Sequence, residues 1–194
     1  MQNILPINGE AYYYPDFFSK TASDAFFIEL QKQVNWKQEP IKLFGKEIMQ
    51  PRLTAWYGDE NKAYSYSGIT MVPDAWSPVL LQIKNSVEAI AGIRFTSALL
   101  NYYRNQQDSM GWHRDNEKEL GEYPIIASVS FGESREFQFR YYSDKTIKRA
   151  LLLTHGSLLL MSGSTQHYWE HALPKRTRTM GGRINLTFRK IISS

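Results

Sequence analysis

Seven residues near the C-terminus, Arg183-Ile-Asn-Leu-Thr-Phe-Arg189, alternate without a break between polar and apolar side chains. Successive side chains of a strand leave opposite faces, so Arg183, Asn185, Thr187 and Arg189 share one side and Ile184, Leu186 and Phe188 the other. Any sheet containing this strand must provide for two guanidinium groups on one face. Buried and unpartnered, they would cost on the order of several kcal/mol. They call for an anion, and because Arg forks hold carboxylates bidentately, a dicarboxylate lying beside the strand would satisfy them. A salt-bridged edge strand facing water is the alternative.

The rest of the chain shows where such a strand would pack. Phe27, Leu30 and Val34 recur at helical spacing within Thr21 to Trp36, behind possible caps at Ser19, Thr21 and Ser23. Ser77-Pro78 is an N-cap followed by proline at the first helical position, and the stripe Val79, Leu80, Ile83, Val87, Ile90 is closed by Gly92. Between these helices, Ile41 to Lys46 reads as a hairpin turning at Gly45, with Phe44 at its tip or folded back into the core. The alternating Tyr64 and Tyr66 before Ser67-Gly68 read as a strand ending at a turn. From Phe95 onward the texture is of short strands: Ser97 to Tyr103, Ile125 to Phe131, Glu136 to Tyr142, Arg149 to Leu153, Leu158 to Ser162 and Ile184 to Arg189, joined by turns such as His155-Gly156-Ser157. Helices first and then six or more strands predict a mainly β chain with flanking helices, α+β, in which the helices pack outside a two-sheet sandwich or jelly roll.

Composition narrows the chemistry. The 194 residues contain no Cys, so disulfides and thiolate metal sites are excluded and any metal must be held by His, Asp or Glu. No basic-then-apolar leader opens the chain and no run approaches a membrane span, so an intracellular chain with no membrane partner is expected. Residues 140 to 190 hold ten Lys or Arg against two acids, Asp144 and Glu170. That imbalance predicts a basic face able to track phosphates, or else a solvated charged surface.

With four histidines the metal candidates are few. His113 and Asp115 stand at i and i+2, on one side of an extended strand, with Trp112 able to shield them and Glu117-Lys118-Glu119 suited to a surface loop behind. His155, His167 and His171 compete for the third position. His155 precedes Gly156 in a tight turn, where a hydrogen-bonding role fits better, and spacing alone does not choose between His167 and His171. Two imidazoles and a carboxylate leave open positions on an octahedral iron(II), as oxygen chemistry requires.

These features resemble the AlkB group of iron(II)- and 2-oxoglutarate-dependent dioxygenases. The resemblance rests on His113-x-Asp115, the distal His171 before Leu173-Pro174, and the Arg-x-Asn-x-Thr-x-Arg run. It extends through Asn101-Tyr-Tyr-Arg, Pro124-Ile-Ile-Ala-Ser-Val-Ser-Phe-Gly and His155-Gly-Ser, over roughly residues 12 to 190. It implies a double-stranded β-helix (jelly roll) as one domain over 1–194, with a nucleotide-recognition region at roughly 40–75 and a core at roughly 95–190. It also implies that His113, Asp115 and His171 hold Fe(II), and that Asn101, Tyr103, Arg183, Asn185 and Arg189 hold the co-substrate 2-oxoglutarate, with Arg183 on its distal carboxylate and Arg189 near its metal-bound end, where it could also brace Asp115. Oxygen completes the reactants.

The Phe-Gly hairpin before Pro51-Arg52, together with Tyr64 to Gly68, is most like the branch acting on duplex DNA. Phe44 would then be a wedge in the duplex. Tyr64, Tyr66 and Ser67 would meet the flipped base, Tyr66 stacking on it opposite His113, and Glu117 would accept from its exocyclic amine. Asn116 departs from relatives that carry an acid there. The reaction implied is direct-reversal demethylation of alkylated DNA by a monomer. RNA or single strands as substrate, or a catalytically silent nucleic-acid-binding module, are the other readings.

Overall fold

The computed structural model describes residues 2–43, 46–60, 64–66, 69–71 and 73–192. In chain order the elements are β1 (Glu10–Tyr14), α1 (Lys20–Gln33), β2 (Pro40–Leu43), β3 (Lys46–Met49), β4 (Leu53–Gly58), β5 (Tyr64–Tyr66), β6 (Ile69–Met71) and α2 (Pro78–Ala91). They continue with β7 (Ser97–Tyr103), β8 (Met110–His113), a 3-10 turn (Lys118–Leu120), β9 (Ile126–Gly132), β10 (Arg135–Tyr141), β11 (Lys148–Leu153), β12 (Ser157–Ser162), α3 (Thr165–Tyr168), β13 (Trp169–Leu173) and β14 (Arg183–Arg189).

The strands form a six-stranded sheet in the order β1-β12-β9-β14-β7-β4 and a four-stranded sheet in the order β11-β10-β13-β8. β14 lies between β9 and β7, antiparallel to both, and all seven of its residues are buried. Its two faces meet different layers. Ile184, Leu186 and Phe188 join Phe26 and Leu30 of α1 and Leu80, Ile83 and Val87 of α2 in one core. A second core between the sheets gathers Leu99, Ile126, Leu159 and Met161 against Phe137, Phe139, Trp169 and Leu173. Because the helices cover the apolar face of β14, its polar face points into the molecule between the sheets. This jelly-roll arrangement with helices outside is the predicted class.

Local chemistry explains the element ends. Ser19 Oγ accepts from the Ala22 N–H at 3.3 Å and starts α1. The helix stops at Gln33, short of the predicted Trp36, because Val34 turns extended and Lys37 pairs with Thr54 of β4 through two backbone bonds of 3.0 and 2.7 Å. Ser77 caps α2, Pro78 occupies its first turn, and Gly92 closes it at φ +69°. Ile90, placed on the buried stripe by its spacing, is 45% exposed. Gly156 sits at φ +78° in the turn before β12, where a Cβ would lie 2.3 Å from Ser23 Oγ, so the position takes glycine on both counts. β2 and β3 form the expected hairpin, but its turn, Phe44 and Gly45, lies outside the described residues. No helix among the described residues is long and apolar enough to cross a membrane.

Candidate metal centre and co-substrate cavity

β8 ends at His113, and the residue facing it across the β8–β13 ladder is His171. This pairing brings together two histidines 58 positions apart, with ring centroids 4.2 Å apart and planes inclined by 70°. Asp115 comes from two residues past the end of β8. It therefore joins the group from the start of a loop and not, as alternation suggested, from the strand itself. His171 Nε2 stands 3.7 Å from Asp115 Oδ2, and one ligand atom from each of the three residues lies within 4.8 Å of the others.

The donor chemistry suits a divalent cation. A carbonyl oxygen only accepts, so the 2.9 Å contact between His113 Nδ1 and Gly111 O places the ring proton on Nδ1 and leaves the Nε2 lone pair free. Burial, reinforced by the neighbouring His113, holds the His171 pKa down at about 3, and burial also lowers that of His113, so both imidazoles are neutral at pH 7. Burial opposes ionisation of Asp115, yet Arg189, His171 and His113 together hold its carboxyl at about 2. Two neutral nitrogens and one carboxylate oxygen match the facial set of non-haem iron(II).

These residues open onto a narrow cavity of about 30 Å³ between the sheets, whose walls include the whole polar face of β14. Arg189, 2% exposed, donates from Nη2 to Asp115 Oδ1 at 2.6 Å. Arg183, equally buried, donates to Ser130 Oγ at 2.9 Å and lies 5.3 Å from the centre of the Tyr103 ring, while its Nε has no partner among the described residues. Burial lowers the Arg183 pKa to about 10, which leaves it charged at pH 7. Asn185 gives its amide hydrogens to Ser128 Oγ at 2.7 Å and the Val129 carbonyl at 2.9 Å, and its oxygen accepts from Thr187 Oγ1 at 3.1 Å. A guanidinium charged at pH 7, with an unpartnered Nε and a cavity in front of it, has the chemistry to receive a carboxylate.

Comparison with known proteins decides the family. The sequence profile of the 2OG-Fe(II) oxygenase superfamily matches residues 10–189. The alpha-ketoglutarate-dependent dioxygenase alkB homolog 3 of Bos taurus is 45% identical over 186 residues, covering 91% of this chain and 64% of its own length. The DNA oxidative demethylase ALKBH2 of Homo sapiens is 40% identical over 189 residues, 92% of this chain and 72% of its own. The chain belongs to the AlkB family of 2OG-Fe(II) oxygenases. It spans just under two thirds of the length of the bovine alkB homolog 3 protein. Among solved structures, that of OsALKBH1 superposes with a TM-score of 0.65 at 18% identity, covering 93% of this chain and 97% of the other, a likeness of fold. The family name carries its cofactors, Fe(II), 2-oxoglutarate and oxygen, and in this AlkB-family chain the cluster of His113, Asp115 and His171 is positioned for the iron.

Of the other predicted residues of this family member, Asn101 and Tyr103 line the same cavity. Glu117 stands outside its walls, at the start of the 3-10 turn, and its Oε2 is buried without a partner among the described residues. Phe44 and Ser67 lie outside the described residues; of Tyr64 and Tyr66 only the strand β5 is described. The competing histidines are engaged elsewhere. His155 Nδ1 accepts from the Gly132 N–H at 2.8 Å and its Nε2 faces Asp24 at 3.1 Å, while His167, on α3, contacts the Glu122 carbonyl.

Three buried residues escaped sequence reading. Arg52 donates from Nε to Asn101 Oδ1 at 2.7 Å, and because arginine only donates, the Asn101 amide nitrogen is turned away from it. Arg135 donates to the carbonyls of Asn105, Asp108 and Pro174, tying together the chain segments beside Tyr103. Gln166 accepts from the Asp115 N–H at 2.9 Å. Nothing in their immediate sequence distinguishes them from surface residues, since their partners are remote in the chain.

The basic C-terminal face is smaller than its count suggested. Arg183 and Arg189 are interior, Arg140 and Lys145 both pair with Glu170, and Arg176 pairs with Glu136. Lys148, Arg149, Lys175, Arg178 and Lys190 remain exposed.

Proposed function

We propose that this chain removes alkyl groups from N-alkylated bases such as 1-methyladenine and 3-methylcytosine in DNA by oxidative demethylation, releasing formaldehyde, succinate and carbon dioxide. The observation that carries this reading is the opening of the His113, Asp115 and His171 cluster onto a cavity containing the buried Arg183. The ALKBH2 relatives are DNA oxidative demethylases, which supports nucleic acid as the substrate. Iron(II) with oxygen and 2-oxoglutarate supplies the oxidation of the N-methyl group to a hydroxymethyl that leaves as formaldehyde.

The residues of this chain do the rest. His113, Asp115 and His171 present neutral nitrogens and one anion on one side of the cavity. Arg183 receives the distal carboxylate of 2-oxoglutarate, with Asn101 and Tyr103 beside it. Asn185 shapes that wall and Arg189 neutralises and orients Asp115. The flipped base enters over His113, with Tyr66 stacking on it and Tyr64 and Ser67 alongside. Glu117, whose Oε2 lacks a donor among the described residues, accepts from the exocyclic amine. Phe44 fills the gap left in the duplex, which offsets part of the few kcal/mol that flipping costs. In this account the chain is one dioxygenase domain over 1–194, with a recognition region at roughly 40–75 and a jelly-roll core at roughly 95–190. It works inside the cell as a monomer on alkylated duplex DNA.

The test is a repair panel with methylated oligonucleotides, duplex and single-stranded, DNA and RNA, supplied with iron(II), ascorbate and 2-oxoglutarate. Formaldehyde release highest on duplex DNA and abolished in His171→Ala is expected. No product from the wild type, or full activity in His171→Ala, would overturn the reading; equal turnover of RNA or single strands would move the substrate but keep the chemistry.

A further inference from the structure

Asp115 has an awkward place in the backbone. β8 ends two residues earlier, and its paired register with β13 stops at His113 and His171, so the Asp115 N–H lies beyond that ladder. Asp115 is nonetheless 2% exposed, and a buried, unsatisfied N–H costs about 1–3 kcal/mol. The side chain of Gln166, 1% exposed, supplies the missing acceptor: its Oε1 takes that N–H at 2.9 Å. Gln166 Nε2 in turn faces Met161 Sδ at 3.7 Å, and since a thioether cannot donate, the amide keeps its oxygen towards Asp115.

The support under Gln166 is itself rigid. Its neighbour Thr165 bonds through Oγ1 to the carbonyls of Ser162 and Glu10 at 2.6 and 2.9 Å, and accepts from the Glu10 N–H at 2.8 Å, which fastens α3 to β1 and to the end of β12. On the outer side, Arg114 Nη1 donates to the carbonyl of His167 at 2.9 Å. The chain between His113 and Asp115 is thus stapled to α3 at two consecutive residues, 114 and 115. α3 runs straight into β13, whose third residue is His171. One short segment therefore provides the distal histidine and the template for the loop carrying the carboxylate.

We propose that Gln166 is a positioning residue for the metal centre, holding the backbone of Asp115 so that its carboxylate meets the two imidazoles. Arg189 fixes the side chain of Asp115 and Gln166 fixes its main chain; removing the second leaves the first pulling on an unanchored residue. The inference rests on the assignment of His113, Asp115 and His171 as metal ligands.

The experiment titrates the metal-stripped full chain with cobalt(II), followed by visible absorption and calorimetry, with melting of the metal-free protein measured alongside. Gln166→Leu, close in volume and unable to accept, is expected to weaken cobalt binding by about 10–100-fold and to change the band shape as carboxylate coordination is lost. Gln166→Glu, which restores an acceptor, is expected to recover most of that affinity. Should Gln166→Leu not fold, Gln166→Asn, one methylene too short to reach, carries the same expectation. A variant that melts lower yet binds cobalt as tightly as the wild type overturns the inference and leaves a merely structural glutamine. Failure of the wild type to bind cobalt would overturn the ligand assignment itself.

Discussion

At the scale of single residues, the site is governed by one carboxylate surrounded by positive and neutral groups. Asp115 and Arg189 form an ion pair in which both partners are 2% exposed, so removing the cation strands a buried charge. Arg189→Gln is expected to lower stability to denaturant by about 3–5 kcal/mol, with urea unfolding of the metal-free protein as the measurement. Arg183 has a different duty, and its replacement is expected to spare the fold. Arg183→Lys keeps a charge but loses the planar fork, and should raise the KM for 2-oxoglutarate at least about tenfold while cobalt affinity stays at the wild-type value. Steady-state kinetics at varied 2-oxoglutarate checks this.

The arginines and Asn185 were legible because β14 alternates perfectly and two guanidinium groups on one face have few solutions. His171 was not selected by spacing over His167. What separates them is a partner strand, since His171 faces His113 across a ladder while His167 is on a helical turn just before it.

At the scale of elements, the sheets are held by a few cross-strand pairs whose ionisation sets acid sensitivity. Glu170 on β13 receives Arg140 of β10 at 2.6 Å and Lys145 from the β10–β11 turn at 2.5 Å. Burial works against its charge, but these two cations outweigh it and hold its pKa below the usual 4.5. A depressed carboxylate adds stability above its unfolded pKa and loses it as pH falls through the folded one. The melting temperature of the wild type should therefore fall as pH drops from about 5 to about 3, and Glu170→Gln, lower to begin with, should show a shallower fall over that window. Thermal scans at stepped pH measure it.

Strong caps made elements readable. α2 announced itself through Ser77, Pro78 and Gly92, and β7 matches its expected span, Ser97 to Tyr103. β4, with five buried residues in a row, shows no alternation and escaped notice, although β7, as fully buried, was read. β1, with three consecutive tyrosines, escaped likewise. β8 is only four residues long and gains its meaning from β13.

At the scale of the whole molecule, three layers divide the labour: helices cover one sheet, β14 of that sheet turns its polar face inward among apolar neighbours, and the second sheet closes over it with the two histidines. The hairpin of β2 and β3 and the strands β5 and β6 lie outside both main sheets. If Phe44 wedges a duplex, Phe44→Ala should reduce turnover of methylated duplex more than of the same strand alone; equal losses on both would remove the wedge. The charge imbalance of residues 140 to 190 suggested a basic face, but two of its arginines are interior and three other cations are bound to Glu170 and Glu136. Binding to duplex should still weaken with added salt, with a slope set by the exposed cations and not by the full count. Composition could not foresee this, because burial is decided by partners across the fold.

In the proposed site, metal and 2-oxoglutarate lie together, the metal on His113, Asp115 and His171 and the dicarboxylate reaching from it to Arg183. The most direct measurement is calorimetric titration of 2-oxoglutarate into the protein with and without cobalt(II), in wild type and in Arg183→Met. Tight binding is expected only when the metal is present, with most of that affinity lost in Arg183→Met. Binding of equal strength without metal, or unchanged in Arg183→Met, would contradict it.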